Sequence, residues 1–566
     1  MTAAGPAPSR PVDAPGGATT PGGAPVVGIA AAGMTALVGW LVVIEFVSGI
    51  IQGYYTPLYT DIARHLGIHD ADVNIFEAAQ LMVSAVCVPI FAKLGDTLGY
   101  RKMLLWSSVV TAVGSWGIVV MPNYLTFTIA WAVQGAYVAW LPLDVALISA
   151  RARQFPDAHR LTTKGAGVIV AALQAGAITG AVLGGQLGVF APTHMPLVLA
   201  VPAVFVTVVV LVVATRVPEA PEIPGGRLDL RGAVLVSLSL LGVGTGLTLV
   251  RLQGLTSPWA WGLVVVGLAL LRAFVRVELR ADDPLIDVRV VRGTQLWPVV
   301  VTSGLFGVSV LGAQGSLSTF ARTDPEVYGY GLGLSTIGVS VLILGYVLAT
   351  FTGALLHSRI ALALGGRRSL VLASLLVATG YLSLLALGGR RSLVLASLLV
   401  ATGYLSLLAL HAHQLTMLVG MVVAGLGSGA LVAALPAAAA SAAPHDRTGV
   451  ATGLTNTTKT VGGMVASAAF AVALLSGNHD TLAGEAGTAG SFGGYMTVWI
   501  VCGVTALVSV GFLLMAPAGS FEGAPDAVAT GLTREDACGT DPDGDGDVPP
   551  GTTTAPLGET DLGAPA

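Results

Sequence analysis

The chain contains a long series of apolar runs, each close to 20 residues in length. A helix needs about 20 residues to cross the roughly 30 Å hydrocarbon core of a bilayer, where its backbone groups must bond internally. Only 10% of the residues are charged, against about 25% in soluble domains. The sequence therefore predicts an all-α polytopic membrane protein and excludes a soluble enzyme. The fifteen runs fall at residues 30–52, 74–94, 103–121, 124–148, 165–187, 195–215, 231–250, 258–275, 297–318, 334–356, 369–387, 392–410, 414–436, 452–475 and 495–515.

Lysine and arginine are distributed unevenly among the loops between these runs. With the amino terminus in the cytoplasm, the inner loops of the first ten runs contain seventeen of them and the outer loops contain three, Arg64, Arg251 and Arg322. Cytoplasmic loops carry the excess of positive charge in membrane proteins. Arginine outnumbers lysine 23 to 4, a bias typical of GC-rich bacterial genomes. We expect a multi-pass protein of a bacterial plasma membrane with both termini in the cytoplasm.

Residues 365–387 are repeated without a single change as residues 388–410. An unchanged tandem copy is unlike the diverged repeats that build transporter halves. If both copies spanned the membrane, the later cations Arg447 and Lys459 would lie outside, against the charge distribution. We therefore predict fourteen functional spans and one additional, redundant apolar segment from the duplication.

Both ends of the chain have compositions typical of disordered segments. Residues 1–25 are rich in Pro, Gly and Ala, and residues 517–566 contain ten acidic residues and one arginine. No phosphate-binding G-x-x-x-x-G-K-[ST] loop is present, and the three cysteines are far apart, at Cys87, Cys502 and Cys538. We predict no enzymatic activity, no cofactor, no metal site and no nucleic-acid partner.

The loop after the second run reads AKLGDTLGYRK over residues 92–102. It resembles the signature that the major facilitator superfamily carries between its second and third helices. A glycine permits a tight turn, an aspartate favours a helix amino terminus or a neighbouring cation, and a basic pair anchors at anionic lipid headgroups. The resemblance implies a cytoplasmic gate. Its matching residues are Leu94, Asp96, Gly99, Arg101 and Lys102.

Five glycines of the fifth run resemble the antiporter signature of the drug-efflux branches of this superfamily. Their spacing gives a groove of small residues in which a neighbouring helix can approach closely. The resemblance implies a glycine motif at the interface between two bundles, although Ala181 stands where the signature has proline. The motif consists of Gly167, Gly176, Gly180, Gly184 and Gly185.

The fourth run departs from the family pattern. The segment from Trp131 to Gly135 resembles R-x-x-Q-G, but Trp131 replaces the buried arginine that relatives associate with proton coupling. The usual coupling chemistry is therefore in doubt, and other ionisable groups within the membrane become candidates.

Two intramembrane carboxyl groups are such candidates, Glu45 in the first run and Asp144 in the fourth. An ionisable residue in a spanning segment is costly and marks a functional site by default. We predict that Glu45 or Asp144 carries a coupling proton. The alternatives are an interhelical hydrogen bond for Glu45 and, for Asp144, a structural clamp with Arg101 or Lys102.

The runs at 231–250 and 258–275 lie between two groups of six, which resembles the fourteen-helix drug:proton antiporter branch. The resemblance covers roughly residues 30–515. It implies a major facilitator fold of two six-helix bundles plus two central extra helices. The expected domains are a disordered amino terminus (1–25), an amino-terminal bundle (26–216), a linker with the extra helices (217–280), a carboxyl-terminal bundle that contains the duplication (281–516) and a disordered acidic tail (517–566).

Several polar or aromatic residues within the apolar runs are candidates for contact with a substrate. Sparse polar groups among aromatic side chains suit an amphiphilic organic molecule. Each residue could equally make an interhelical hydrogen bond or belong to an interfacial aromatic belt, where we place Tyr54 and Tyr55. The candidates are Gln52, Trp131, Gln134, Tyr137, Trp140, Gln174 and Gln314.

Together these features predict a monomeric secondary transporter that exports hydrophobic or amphiphilic small molecules by alternating access, in exchange for protons. Two alternatives stay open. One is a proton-independent uniporter or a metabolite symporter, and the other is a non-transporting membrane sensor or scaffold that acts through the acidic tail.

Overall fold

The structure is a computed structural model that describes residues 23–121, 123–155, 158–219, 229–281, 284–286, 288–289, 296–363, 389–442, 448–476, 481–482 and 487–515. In this part of the chain every regular element is a helix. Residues 1–22 of the predicted amino-terminal segment 1–25, the first copy of the duplication at 365–387 and the acidic tail at 517–566 lie outside the described residues, whereas residues 23–25 belong to the first helix. The predicted all-α membrane architecture is confirmed for the rest.

Eighteen α-helices follow one another in the described residues. The first ten are α1 (Gly23–Tyr54), α2 (Tyr59–Leu66), α3 (Val73–Leu98), α4 (Tyr100–Val120), α5 (Tyr124–Gln134), α6 (Trp140–Ala152), α7 (Ala158–Leu187), α8 (Ala191–Thr215), α9 (Leu230–Gln253) and α10 (Pro258–Glu278). The others are α11 (Trp297–Val310), α12 (Gln314–Arg322), α13 (Pro325–Tyr328), α14 (Thr336–Ala363), α15 (Gly389–Leu410), α16 (Gln414–Ala442), α17 (Thr448–Leu475) and α18 (Phe492–Met515).

Thirteen stretches of the described chain are long and apolar enough to cross a membrane. One of them, Lys164–Thr215, contains both α7 and α8, which a short 3-10 turn at Gly188–Phe190 separates. Counted separately, these two helices bring the described chain to fourteen segments of spanning length. The second copy of the duplication forms one of them, α15.

Buried apolar side chains form two large cores. Residues between Met34 and Val217 make up one core, and the other consists almost entirely of residues between Leu296 and Leu513. We refer to residues 34–217 as the amino-terminal half and to residues 296–515 as the carboxyl-terminal half. A third, smaller cluster joins α9 and α10 to Ala85 of the first half and Met464 of the second.

Two of the predicted spans are broken helices. A 3-10 turn at Gly135–Ala139 separates α5 from α6 within the fourth run. In the ninth run, α11 ends at Val310 and α12 begins at Gln314. Broken helices expose backbone amides and carbonyls inside a bundle, where neighbouring side chains must satisfy them. Each half therefore contains a break that can position polar groups.

Candidate functional site

Glu45 on α1 and Asp144 on α6 meet in the interior of the amino-terminal half. Both side chains are fully buried, with 0% exposure. Their carboxyl groups lie close enough to interact with each other, and none of their four oxygens receives a hydrogen bond from a donor of the described residues. A carboxylate only accepts hydrogen bonds, so a bond between two carboxyl groups requires a proton on one of them. The pair is thus a place where the protein can hold one proton.

The predicted clamp between Asp144 and Arg101 or Lys102 is not what the structure shows. Arg101 instead donates a hydrogen bond of 2.8 Å to the carbonyl oxygen of Ala214, at the end of α8. Lys102 is exposed. Neither residue forms an ion pair with a carboxylate of the described chain, and the ionisable group next to Asp144 is Glu45.

The break between α5 and α6 brings aromatic groups close to the carboxyl pair. Tyr137, within the 3-10 turn, is buried and close enough to Glu45, Tyr55 and Glu77 to interact with each electrostatically. Its ring lies 6.2 Å from that of Trp140, which is also buried. Two of the predicted substrate contacts therefore adjoin the carboxyl pair.

Gln134 joins this region to α1 and α4. Its amide nitrogen donates hydrogen bonds of 3.0 Å to Tyr55 Oη and 2.9 Å to Ser115 Oγ. Tyr55 and its neighbour Tyr54 are both buried, and Tyr54 Oη donates to the carbonyl oxygen of Val198 at 2.7 Å. The expectation that the two tyrosines form an interfacial belt is therefore wrong, because both hydroxyls have partners inside the bundle.

Trp131, which occupies the position of the family's buried arginine, belongs to a cluster of aromatic side chains. Its ring lies 4.6 Å from the ring of Tyr55, 5.6 Å from that of Phe76 and 5.8 Å from that of Phe127. Only 1% of the residue is exposed. This tryptophan packs among rings in the core, which differs from its predicted place in a substrate cavity.

The remaining predicted cavity residues are scattered. Gln52 is exposed on α1, so it does not face the interior of the bundle. Gln174 on α7 and Gln314, the first residue of α12, are half-buried. Of the seven candidates, Tyr137 and Trp140 are the ones that adjoin the carboxyl pair. Gln134 instead contacts Tyr55 and Ser115, several helical turns away.

The predicted gate residues form the turn between α3 and α4. Gly99 has φ +102°, a conformation that side chains with a Cβ rarely adopt, and a Cβ there would lie 2.7 Å from Glu219 Oε1. Asp96 accepts a hydrogen bond from the hydroxyl of Tyr100, one turn later, and no described cation pairs with it. Leu94 packs against the core of the amino-terminal half.

Three glycines of the predicted motif pack α7 against α1. A Cβ on Gly176, Gly180 or Gly184 would collide with backbone atoms of α1. Contrary to expectation, these residues join helices of one half rather than the two halves. Gly185 does face the other half, at Ser340 of α14, whereas a Cβ on Gly167 would meet no atom within 4 Å.

Residues 41–390, more than half of the chain, match the family model described as Major Facilitator Superfamily. The chain belongs to this superfamily. It is 28% identical over 312 residues to the uncharacterized MFS-type transporter Rv1877 of Mycobacterium tuberculosis (strain ATCC 25618 / H37Rv), covering 52% of this chain and 43% of the relative. It is 30% identical over 217 residues to the uncharacterized MFS-type transporter YwoD of Bacillus subtilis (strain 168), covering 37% and 45%. The matched part is less than half of the length of each of these relatives.

Solved structures of the superfamily share the fold. A POT family peptide transporter has a TM-score of 0.58 at 15% identity, covering 84% of this chain and 96% of that chain. The xylose transporter XylE from E. coli has a TM-score of 0.54 at 11% identity, covering 86% and 98%. The predicted major facilitator fold is therefore confirmed.

In this major facilitator protein, an ion pair joins the two halves at one end of the bundle. We call this end, where α1 ends and α2 lies, the α2 end. Arg322 of α12 forms an ion pair of 2.6 Å with Asp61 of α2, and the hydroxyl of Thr336 donates to the same carboxylate at 3.1 Å. At the same end, Arg251 of α9, which belongs to neither half, pairs with Asp72 of the amino-terminal half at 2.7 Å. The charge pattern of the sequence identifies both arginines only as loop cations.

Glu77, near the start of α3, is a buried carboxyl group that the sequence analysis missed. Only 5% of it is exposed, and its Oε1 accepts a hydrogen bond of 2.6 Å from Tyr59 Oη. The signal was available, because Glu77 lies within the predicted span 74–94 just as Glu45 lies within the first. Both satisfy the same criterion of an ionisable residue in a spanning segment.

Proposed function

We propose that this protein exports hydrophobic or amphiphilic small molecules in exchange for protons, as a member of the fourteen-helix drug:proton antiporter branch. The single observation that carries the proposal is the contact between Glu45 and Asp144, two fully buried carboxyl groups. Small-molecule transport itself follows from membership of the superfamily. Export, proton exchange and the substrate class are what we infer from the site.

The carboxyl pair supports proton exchange because it contains no fixed counter-charge. Within the described chain the ion pairs of the arginines go to Asp61 and Asp72, at the α2 end. A pair that shares one proton is neutralised only in part, and its proton can leave when the bundle opens to water on one side. Loss of that proton on the cytoplasmic side and its recovery outside would drive one cycle of alternating access.

The substrate class rests on the surroundings of the pair. Tyr137 and Trp140 offer two aromatic rings near the carboxyl groups. Gln134 adds a buried amide further along the same bundle, bonded to Tyr55 and Ser115. Aromatic surfaces with a few polar groups and a nearby negative charge suit an amphiphilic organic compound, and a cationic one best. We propose these residues as the substrate contacts, with Gln174 and Gln314 as further contacts.

A proton-independent uniporter or symporter is the second candidate. The observation that favours it is Trp131, which occupies the place of the family's buried arginine and fills it with aromatic packing. In that case the Glu45–Asp144 pair would be a structural hydrogen bond between α1 and α6, and its removal would lower stability without changing any proton flux.

Drug-induced proton release tests the proposal. The purified protein, reconstituted in liposomes with a pH-sensitive dye, would be given a panel of hydrophobic compounds led by ethidium. We expect ethidium to release protons from the wild type and not from Glu45→Gln, which keeps the size and one acceptor but cannot release a proton. Asp144→Asn should behave in the same way.

Glu278→Gln is the matched control for this experiment. Glu278 is also a fully buried carboxyl group at the end of a spanning helix, α10, but it belongs to the extra helices and accepts a hydrogen bond from the amide of Ile286 at 3.3 Å. Proton release should continue in this variant. Equal proton release by the wild type and Glu45→Gln would remove the pair from the mechanism.

A further inference from the structure

The break between α11 and α12 places a helix amino terminus inside the bundle, where the other half caps it. The first backbone amides of α12 have no partner within their own helix. Two side chains of α3 lie against this turn: Asn74 Oδ1 accepts a hydrogen bond of 3.2 Å from Ser316 Oγ, and the carboxylate of Glu77 faces the amide of Gly315. Helix α12 of one half is thus capped by α3 of the other.

Glu77 lies in this contact, and no cation of the described residues forms an ion pair with it. Its Oε1 accepts the hydrogen bond of Tyr59, while Oε2 has no hydrogen-bond partner and would lie 3.6 Å from a Cβ on Gly315. The titratable groups that face it are Tyr59 from α2 and Tyr137 from the turn after α5. No lysine, arginine or histidine of the described residues pairs with Glu77, so the positive end of the α12 dipole takes the place of a counter-ion.

We propose that Glu77 is a second proton-binding site, separate from the Glu45–Asp144 pair, whose ionised form closes the α2 end and whose protonated form releases it. This inference rests on the proposed transport cycle, because it assigns a step to the opening of one end. The uneven distribution of cations in the sequence assigns the α2 end to the outside, so the proton would arrive from the external medium.

The geometry explains why protonation weakens the closed state. An ionised carboxylate accepts the hydrogen bond of Tyr59 on Oε1, presents the unpartnered Oε2 to the first turn of α12 and is attracted by the helix dipole. A protonated carboxyl group loses that attraction, and its O–H would be a donor that faces another donor, the Gly315 amide. The neighbouring Asp61 differs, because Arg322 holds its charge in an ion pair of 2.6 Å.

The opening of the α2 end can be measured as a distance between spin labels. His65 on α2 and Glu326 on α13 are exposed and belong to different halves, so each can be replaced by a labelled cysteine. The native cysteines Cys87, Cys502 and Cys538 would be replaced by serine. Double electron–electron resonance on the full-length protein in lipid nanodiscs then gives the populations of short and long distances between pH 5.5 and 8.5.

We expect the long-distance population of the wild type to rise as the pH falls. Glu77→Gln, which keeps the acceptor for Tyr59 but not the charge, should show a long-distance population raised about tenfold at pH 8 and independent of pH. Tyr59→Phe removes one hydrogen bond and should raise the same population while the pH response is retained. Ser316→Ala, which leaves Glu77 unchanged, is the control and should titrate at the wild-type pH.

A pH response of Glu77→Gln equal to that of the wild type would overturn the proposal. If Glu77→Gln does not fold, a Tyr59→Phe distribution identical to the wild type at every pH would overturn it instead. Glu45→Gln separates the two proposals: it should lose drug-induced proton release and keep the pH response of the α2 end. If Glu45→Gln abolishes that response while Glu77→Gln preserves it, the response belongs to the carboxyl pair alone.

Discussion

The contact between α1 and α7 gives a prediction whose sign differs between two glycines of one helix. A Cβ on Gly180 would lie 2.5 Å from the carbonyl oxygen of Ile50 and 2.9 Å from its Cα. Backbone C–H···O contacts have carbon–oxygen distances of about 3.3–3.6 Å, so Gly180→Ala must push the helices apart by close to an ångström. Such overpacking costs about 1–3 kcal/mol.

The same substitution at Gly167 has no such cost. A Cβ there would meet no atom within 4 Å, and alanine favours a helix over glycine by up to about 1 kcal/mol. Gly167→Ala should therefore be neutral or slightly stabilising. Because that preference applies equally to both positions, the two variants should differ in free energy of unfolding by the overpacking cost alone, about 1–3 kcal/mol.

Thermal unfolding in detergent, followed by tryptophan fluorescence, measures this difference. We expect Gly180→Ala to melt below the wild type and Gly167→Ala at or above it. Because α1 also carries Glu45, Gly180→Ala should lower transport as well. Equal melting temperatures for the two variants would refute the close packing of α1 on α7.

Two further predictions concern the α2 end and the duplication. Burial raises the pKa of Tyr330 to about 12. Below pH 10 the folded and the unfolded protein both keep the phenol proton. Between about pH 10 and 12 only the unfolded protein loses it, so the free energy of unfolding should fall in this range. Tyr330→Phe should reduce this loss in an unfolding titration at alkaline pH. Deletion of residues 365–387 removes one of two identical copies and should preserve transport. A reporter fused to the carboxyl terminus should still lie in the cytoplasm. A periplasmic reporter or an inactive protein would show that the segment is needed.

The length and spacing of the apolar runs predicted the membrane helices correctly, because lipid forces each spanning segment to satisfy its own backbone. The break at Gly135–Ala139 was not predicted, since the helices on either side of it are both apolar. The break before Gln314 was also not predicted, although α12 reads QGSLSTFAR and is far more polar than α11. Hydropathy records how polar a segment is and not how its backbone runs.

The sequence predicted which carboxyl groups belong to the site, but not that they contact each other. Burial cost alone nominated Glu45 and Asp144, but their contact depends on how α1 packs against α6, which no local pattern records. Tyr54 and Tyr55 were assigned to the interface because they follow an apolar run, whereas tertiary hydrogen bonds bury both. Glu77 met the same criterion as Glu45 and was overlooked.

The exchange of protons for substrate is the central claim, and transport driven by a pH gradient alone tests it most directly. Liposomes that contain the wild-type protein and an acidic interior, with the membrane potential clamped at zero, would be given external ethidium. The account predicts that ethidium accumulates inside, that nigericin abolishes the accumulation by collapsing the gradient, and that Glu45→Gln only equilibrates the dye. Uphill accumulation by Glu45→Gln, or wild-type uptake that ignores the gradient, would contradict it.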